Sequence, residues 1–312
     1  MAGLAFLFPG QGSQAVGMGR DLAATFPAAR DIFERADAAL GFSLSGICFE
    51  GPESELRRTA LTQPAILTTS IAVWTLLRER GVRPAVVAGH SLGEYSALVA
   101  AGTLAFEDAV RTVHLRGRLM QEAVAEGCGA MAAILGLGAE AVEAVCATAA
   151  QGEVVSCANY NSPGQIVIAG HAGAVDRAIL IASGQGASKA VRLPVSAPFH
   201  CALMQPAKDR LSPHLEALPF ADPDVPVLAN VDAVARTRGE ECRAALIDQV
   251  TSPVRWEASM RRLTEHGITR AFELGPGRVL CGLLRRIERT LECQAVGDAP
   301  GLEALTPALE RR

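Results

Sequence analysis

The sequence predicts an α/β fold: a mostly parallel sheet flanked by helices, plus a small inserted βαββαβ unit in the ferredoxin-like order. Two observations carry this. Short apolar runs alternate with helix-period stretches over residues 1–125 and again over 197–312, as strands joined by helical crossovers do. Between them, residues 126–196 change texture: strands and helices become shorter, with turn clusters between them.

In chain order, residues 4–8 form a first strand and Pro9 through Gln14 a loop. Residues 21–40 carry helical spacing at Leu22, Phe26, Ile32, Phe33, Ala36 and Leu40. A longer helix covers 62–80, with Pro64 in its first turn. Residues 86–88 are a strand, and 92–101 and 106–125 are helices. Inside the insert, strands at 130–135, 153–159, 165–169 and 188–193 bracket helices at 139–150 and 172–183. The rest reads as helix 201–218, strand 225–230, helices 241–250 and 253–266, strand 270–274 and a last helix 279–291. Beyond it, 302–312 carries no motif.

Composition narrows the function. The 312 residues are 49% apolar and 20% charged, enough for a substantial core and too apolar for disorder. A net charge of −4 argues against a nucleic-acid binder. No uninterrupted apolar run reaches membrane-spanning length, and the N-terminus lacks the charged start of a signal peptide. Eight scattered cysteines, with no Cys-x-x-Cys pair, read as small buried hydrophobes in a reducing compartment. The expected location is the cytoplasm.

One stretch carries chemistry. Gly89-His90-Ser91-Leu92-Gly93 fits G-x-S-x-G after a strand and before a helix, the setting of a nucleophile elbow. The serine hydroxyl then stands above the C-terminal end of the sheet. The Leu92 amide, opening the next helix, is a natural donor to a developing oxyanion.

Such a serine needs a base. Among six histidines, His90 sits inside the turn and packs structurally, His114 lies on a charged helix surface, and His171, His214 and His266 sit solvated at element ends. His200 differs. It follows Pro194 and Pro198 where the chain leaves the insert, and so faces a cleft between domains. No aspartate stands in a compelling context to orient it. Asp222, Asp224 and Asp232 read as turn residues.

Further motifs occur along the chain: Phe8-Pro9-Gly10-Gln11-Gly12-Ser13-Gln14, Thr62-Gln63-Pro64-Ala65, Arg116-Gly117-Arg118-Leu119-Met120-Gln121, Asn159-Tyr160-Asn161-Ser162-Pro163-Gly164-Gln165, Val195-Ser196-Ala197-Pro198-Phe199-His200 and Glu273-Leu274-Gly275-Pro276-Gly277. With the serine motif, and in this order, they resemble the malonyl-CoA:acyl carrier protein transacylases over nearly the whole chain. The resemblance implies a hydrolase-like α/β domain with a ferredoxin-like insert. It implies Ser91 as nucleophile, His200 as base, and the main-chain carbonyl of Gln249 as the group orienting the imidazole. It implies the amides of Gln11 and Leu92 as oxyanion hole, and Arg116 as the partner of the malonyl carboxylate. Phe199 would keep the acyl pocket small, and Gln63 would line it.

The same resemblance implies malonyl-CoA and acyl carrier protein as partners, the latter bringing its own phosphopantetheine, and no metal or redox cofactor. Arg278, Arg285, Arg286 and Arg289 on the last helix, with Lys189 and Arg192 near the insert, are candidates to meet an acidic carrier. A monomer is expected. The loop Gly10-Gln11-Gly12 alone suggests a nucleotide cradle, but no third glycine falls in register and no Gly-Lys-Ser/Thr follows. Three other readings are a thioesterase or esterase, a transacylase for another acyl unit, and a non-catalytic docking subunit.

Overall fold

The computed structural model describes residues 3–195 and 197–309. Ser196 of the histidine motif and residues 310–312 of the C-terminal tail lie outside them. The described residues form two sheets. The larger contains β1 (Gly3–Phe8), β2 (Val86–Gly89), β7 (Val227–Leu228), β8 (Ala235–Arg236), β9 (Ile268–Leu274) and β10 (Glu292–Val296) in the order β10-β9-β1-β2-β7-β8. All neighbouring pairs run parallel except β7–β8. The smaller contains β3 (Gly129–Leu135), β4 (Val155–Ser162), β5 (Gln165–His171) and β6 (Lys189–Arg192) in the antiparallel order β4-β5-β3-β6. With the helices Ala139–Ala150 and Ala172–Gly184, this is the ferredoxin-like arrangement.

Strand β1 explains the layers. Side chains alternate across a strand, so Phe6 and Phe8 pack on one face of the sheet and Ala5 and Leu7 on the other. Both faces are covered by helices, which is why the strand is apolar throughout. Thr59–Glu79 covers the Phe6 face with Ile66, Ile71, Leu76 and Leu77. It is long and apolar enough to cross a bilayer, yet 89% of its apolar window lies inside the fold, as in a core helix. Trp256–Glu265 and Val279–Ile287 cover the other face with Trp256, Met260, Leu280 and Leu284.

Several elements differ from expectation. The stretch 21–40 is two helices, Arg20–Thr25 and Pro27–Leu40, because Pro27 forces Phe26 into extended backbone (φ −118°, ψ 116°). Short helices Leu44–Glu50 and Glu53–Leu56 follow, unforeseen in the sequence. The strand expected at 225–230 shortens to Val227–Leu228, and the last helix ends at Ile287. Edge strand β10 and the helix Ala299–Leu309, whose Leu302 and Leu305 are fully buried, complete the chain. The cysteines are not uniformly buried thiols. Cys281 and Cys293 form a disulfide joining the helix Val279–Ile287 to β10, and Cys128 is exposed.

The two sheets are stitched together. Val254 donates its amide to the Ala158 carbonyl (2.8 Å) and accepts from the Tyr160 amide (2.9 Å), so β4 continues as a bridge onto the larger body.

Candidate active site

The site lies at the C-terminal ends of β1, β2 and β7. Phe8 pairs with Gly89, and Ala88 with Leu228. Chain segments leaving these strands therefore emerge side by side: Pro9–Gln11, His90–Ser91 and Ala229–Asn230. The turn at Ser91 is tight. A Cβ on Gly89 would lie 1.9 Å from the Gly93 carbonyl carbon, and one on Gly93 would lie 2.0 Å from the Phe8 carbonyl oxygen. Both positions exclude any side chain, which accounts for the glycines that flank the serine. Ser91 itself has φ +50°, a left-handed conformation costly for a residue with a Cβ.

Ser91 Oγ lies 2.7 Å from His200 Nε2. His200 Nδ1 lies 3.0 Å from the Gln249 main-chain oxygen. A carbonyl only accepts, so Nδ1 carries the proton and Nε2 presents its lone pair to the serine hydroxyl. Burial, with the Arg116 charge next in effect, lowers the His200 pKa from 6.5 to about 3. The imidazole is therefore neutral at rest, and its Nε2 lone pair faces the serine hydroxyl. His200 also takes a left-handed backbone (φ +60°), so both members of the pair are held in strained conformations by their surroundings.

Arg116 is 1% exposed. Its Nη2 donates to Ser91 Oγ (3.2 Å) and to Gln249 Oε1 (2.9 Å), and its Nη1 donates to Gln63 Oε1 (2.9 Å). Its Nε has no hydrogen-bond partner among the described residues, and its guanidinium lies 5.6 Å from the Tyr95 ring centre. No carboxylate pairs with it among the described residues. A buried cation bonded directly only to neutral acceptors and a hydroxyl, with the Glu94 charge acting on it from beyond Gln249 and a donor to spare, suits an anionic ligand. Phe199, 8% exposed, immediately precedes the histidine. The amides of Gln11 and Leu92 follow the neighbouring strands β1 and β2, and neither meets an acceptor among the described residues.

The structure thus gathers Ser91, His200, Gln249, Arg116 and Gln63 into one bonded group. Three further residues support it. Asn230 accepts from the Ser91 amide (2.7 Å) and donates to the Gly89 carbonyl (2.7 Å). Glu94 accepts from the Gln249 side chain (2.8 Å) and the Asn230 amide (3.1 Å). Asn161, on β4, accepts from His90 Nε2 (2.8 Å), and the His90 ring packs on Trp256. Sequence periodicity gave no sign of Asn230 or Glu94, because their partners lie 139 and 155 residues away.

The remaining histidines correct part of the expectation. His114 bonds the Ala60 carbonyl, His171 accepts from the Val154 amide, and His214 bonds Thr112, so these three are structural rather than solvated. Of the expected docking cations, Arg192 is paired with Asp176 (2.6 Å), and Arg286, on the helix Val279–Ile287, donates to Gln165 at the start of β5.

The sequence family described as the acyl transferase domain matches residues 5–300. The chain belongs to this family. Among curated members, the malonyl CoA-acyl carrier protein transacylase of Escherichia coli (strain K12) is 49% identical over 305 residues, 97% of this chain and 99% of that protein. The protein of the same name from Bacillus subtilis (strain 168) is 49% identical over 311 residues, 99% of this chain and 98% of that one. Among solved acyl transferases, an acyl carrier protein S-malonyltransferase from Vibrio cholerae superposes with a TM-score of 0.96 at 50% identity, covering 98% of this chain and all of that one. A malonyl-transacylase solved in complex with its type II PKS acyl-carrier protein superposes equally well, at 48% identity and full coverage of both chains.

Proposed function

We propose that this chain transfers the malonyl group of malonyl-CoA to the phosphopantetheine thiol of an acyl carrier protein, for fatty acid or polyketide synthesis. The observation that carries the reading is the group at Ser91: a hydroxyl bonded at once to a neutral imidazole and to a buried guanidinium.

In the first half-reaction Ser91 Oγ attacks the thioester carbonyl while its proton passes to His200 Nε2. The amides of Gln11 and Leu92 hold the oxyanion, a role worth about 2.7–4 kcal/mol per donor in comparable sites. The carbon–sulfur bond breaks, and His200 returns its proton to the leaving thiolate of CoA. In the second half the carrier's thiol gives its proton to His200 and attacks the ester. The carbon–oxygen bond breaks, and Ser91 recovers the proton. The Gln249 carbonyl keeps the imidazole in one tautomer throughout and stabilises the transient imidazolium without a full counter-charge. These steps need no metal or redox cofactor.

Arg116 selects the acyl group by binding the free carboxylate, with Gln63 steadying the guanidinium and Phe199 restricting the pocket. A thioesterase has no use for a buried arginine beside its nucleophile, which weighs against hydrolysis. The larger part, 1–125 and 197–312, acts as the acyltransferase domain and 126–196 as a small domain beside it. A cleft of about 410 Å³ between Gln11 and Gly12 on one side and Leu193, Pro194 and Val195 on the other supports an approach for the pantetheine arm.

For the carrier, Arg278, Arg285 and Lys189 are exposed without ion-pair partners among the described residues, and with Arg286 they suit an acidic surface. Arg192, committed to Asp176, contributes less. The protein acts as a monomer in the cytoplasm. In support of a monomer, Val16, Leu180, Val234 and Val279 are the exposed large apolar side chains among the described residues; in support of the location, five cysteines are buried thiols beside the one disulfide, Cys281–Cys293.

Intact-mass measurement after mixing the protein with malonyl-, methylmalonyl- and acetyl-CoA tests the reading. A malonyl adduct, discharged on adding carrier protein, is expected. An enzyme that hydrolyses the thioester without retaining an adduct would be the hydrolase instead.

A further inference from the structure

Glu94 is a carboxylate 2% exposed, and the transfer steps do not use it. No arginine or lysine pairs with it among the described residues. Its Oε2 accepts from the Asn230 amide (3.1 Å) and from Gln249 Nε2 (2.8 Å). The Gln249 amide nitrogen also donates to the Ser91 carbonyl (2.9 Å), while its oxygen accepts from Arg116 (2.9 Å).

This chain of bonds has one direction. A guanidinium only donates, and a carbonyl only accepts, as does an ionised carboxylate. The Gln249 side chain could in principle turn over and exchange its oxygen and nitrogen. Turned over, its oxygen would face the Glu94 carboxylate and the Ser91 carbonyl, and its NH₂ would face the Arg116 guanidinium. Every contact would be repulsive. Glu94 therefore acts with the Ser91 carbonyl, as the charged member of the two, to set which end of the amide meets Arg116, and the amide in turn helps hold the guanidinium 3.2 Å from Ser91 Oγ.

We infer that Glu94 is a positioning residue for acyl-group selection: acting through the Gln249 side chain, it sets Arg116 in place to receive a carboxylate, without touching substrate itself. The inference rests on the malonyl-transfer reading above. It gives Gln249 two separable tasks, the carbonyl steering His200 and the side chain steering Arg116.

The test compares acylation of the wild type and Glu94→Gln by malonyl-CoA and by acetyl-CoA at about pH 8.5, where the Glu94 carboxyl, raised to about 7 by burial, is ionised. A glutamine at 94 removes the charged acceptor and can itself turn an NH₂ toward 249, so the Gln249 amide keeps only the Ser91 carbonyl and Arg116 to set its direction. The malonyl kcat/KM is expected to fall about ten-fold or more beyond any fall for acetyl, through KM rather than kcat. A purely structural role would lower both substrates together, and that result overturns the inference. Gln249→Met keeps the main-chain carbonyl and removes the amide. It must shift the malonyl-to-acetyl ratio the same way, and an unchanged ratio in this variant also overturns the inference. Should Glu94→Gln not fold, Glu94→Asp, which keeps the charge but withdraws it from Gln249, takes its place, with the same expected shift and the same overturning result. A wild type that takes no malonyl group removes the transfer reading itself, whereas a wild type that takes it beside unaltered variants removes only the role of Glu94.

Discussion

The Ser91 main-chain amide donates to the Asn230 side-chain oxygen at 2.7 Å, tying the strained serine turn to the end of β7. Asn230 is fully buried and also donates to the Gly89 carbonyl, so it clasps the turn from both sides. Removing it leaves an amide and a carbonyl without partners at the point where φ is already unfavourable. Asn230→Ala is expected to cost about 2–4 kcal/mol of stability, from two unsatisfied groups at about 1–3 kcal/mol each with partial relaxation. Chemical denaturation measures this. The acylation rate should fall as well, and an unchanged rate would mean that the turn holds its shape unaided.

Ser91→Ala and His200→Ala are each expected to slow acyl transfer by about 10⁴-fold or more, as loss of either member of a nucleophile–base pair does elsewhere. Single-turnover assays with radiolabelled malonyl-CoA check this. An ester still forming on the alanine variant at 91 would place the nucleophile elsewhere.

Arg116→Ala removes the guanidinium beside the nucleophile. A charge-assisted hydrogen bond to a carboxylate is worth about 1.5–3 kcal/mol, so malonyl use should drop by about 10- to 100-fold. Acetyl use should hold or improve. Equal losses for both acyl groups would deny Arg116 any part in selection.

Two buried groups titrate in opposite senses. Burial raises the Glu94 pKa from 4.5 to about 7, so the folded state binds more protons than the unfolded between these values. Stability attributable to Glu94 therefore declines as pH rises through that window, by about 3 kcal/mol in all at 1.36 kcal/mol per unit. His200, lowered to about 3, binds fewer protons when folded, and its contribution grows as pH rises from about 3 to 6.5. Glu94→Gln should thus gain stability relative to wild type as pH rises from 4.5 to 7. Denaturant melts across that range test it, and a difference independent of pH would refute it. For activity, the neutral His200 predicts no loss of base from about pH 8 down to about pH 5.

Arg285→Glu should raise KM for carrier protein and leave KM for malonyl-CoA alone. Stopped assays varying each substrate separately would show it, and no change would discard this surface.

Much of this was legible in the sequence. Ser91 announced itself through the flanking glycines, which are forced by contacts of about 2 Å that no side chain survives. His200 stood out through the prolines before it. Arg116, Gln63 and the carbonyl of Gln249 came only with the family resemblance, since nothing local distinguishes a clamp from a helix arginine. Asn230 and Glu94 escaped because a buried polar group reveals its purpose only beside partners brought from distant segments. Among the elements, β10 escaped because its edge position leaves Glu292 and Gln294 among its five residues, breaking the apolar pattern. Phe26, apolar and in helical register, concealed the break that Pro27 imposes.

The backbone stitch at Val254 ties mechanics to chemistry. The same short segment that offers the Gln249 oxygen to the imidazole runs on to pair with β4, and β4 also supplies Asn161 to the ring next door to the nucleophile. A displacement of the antiparallel sheet would thus be passed, through covalent chain and two amide bonds, to the segment that steers the proton.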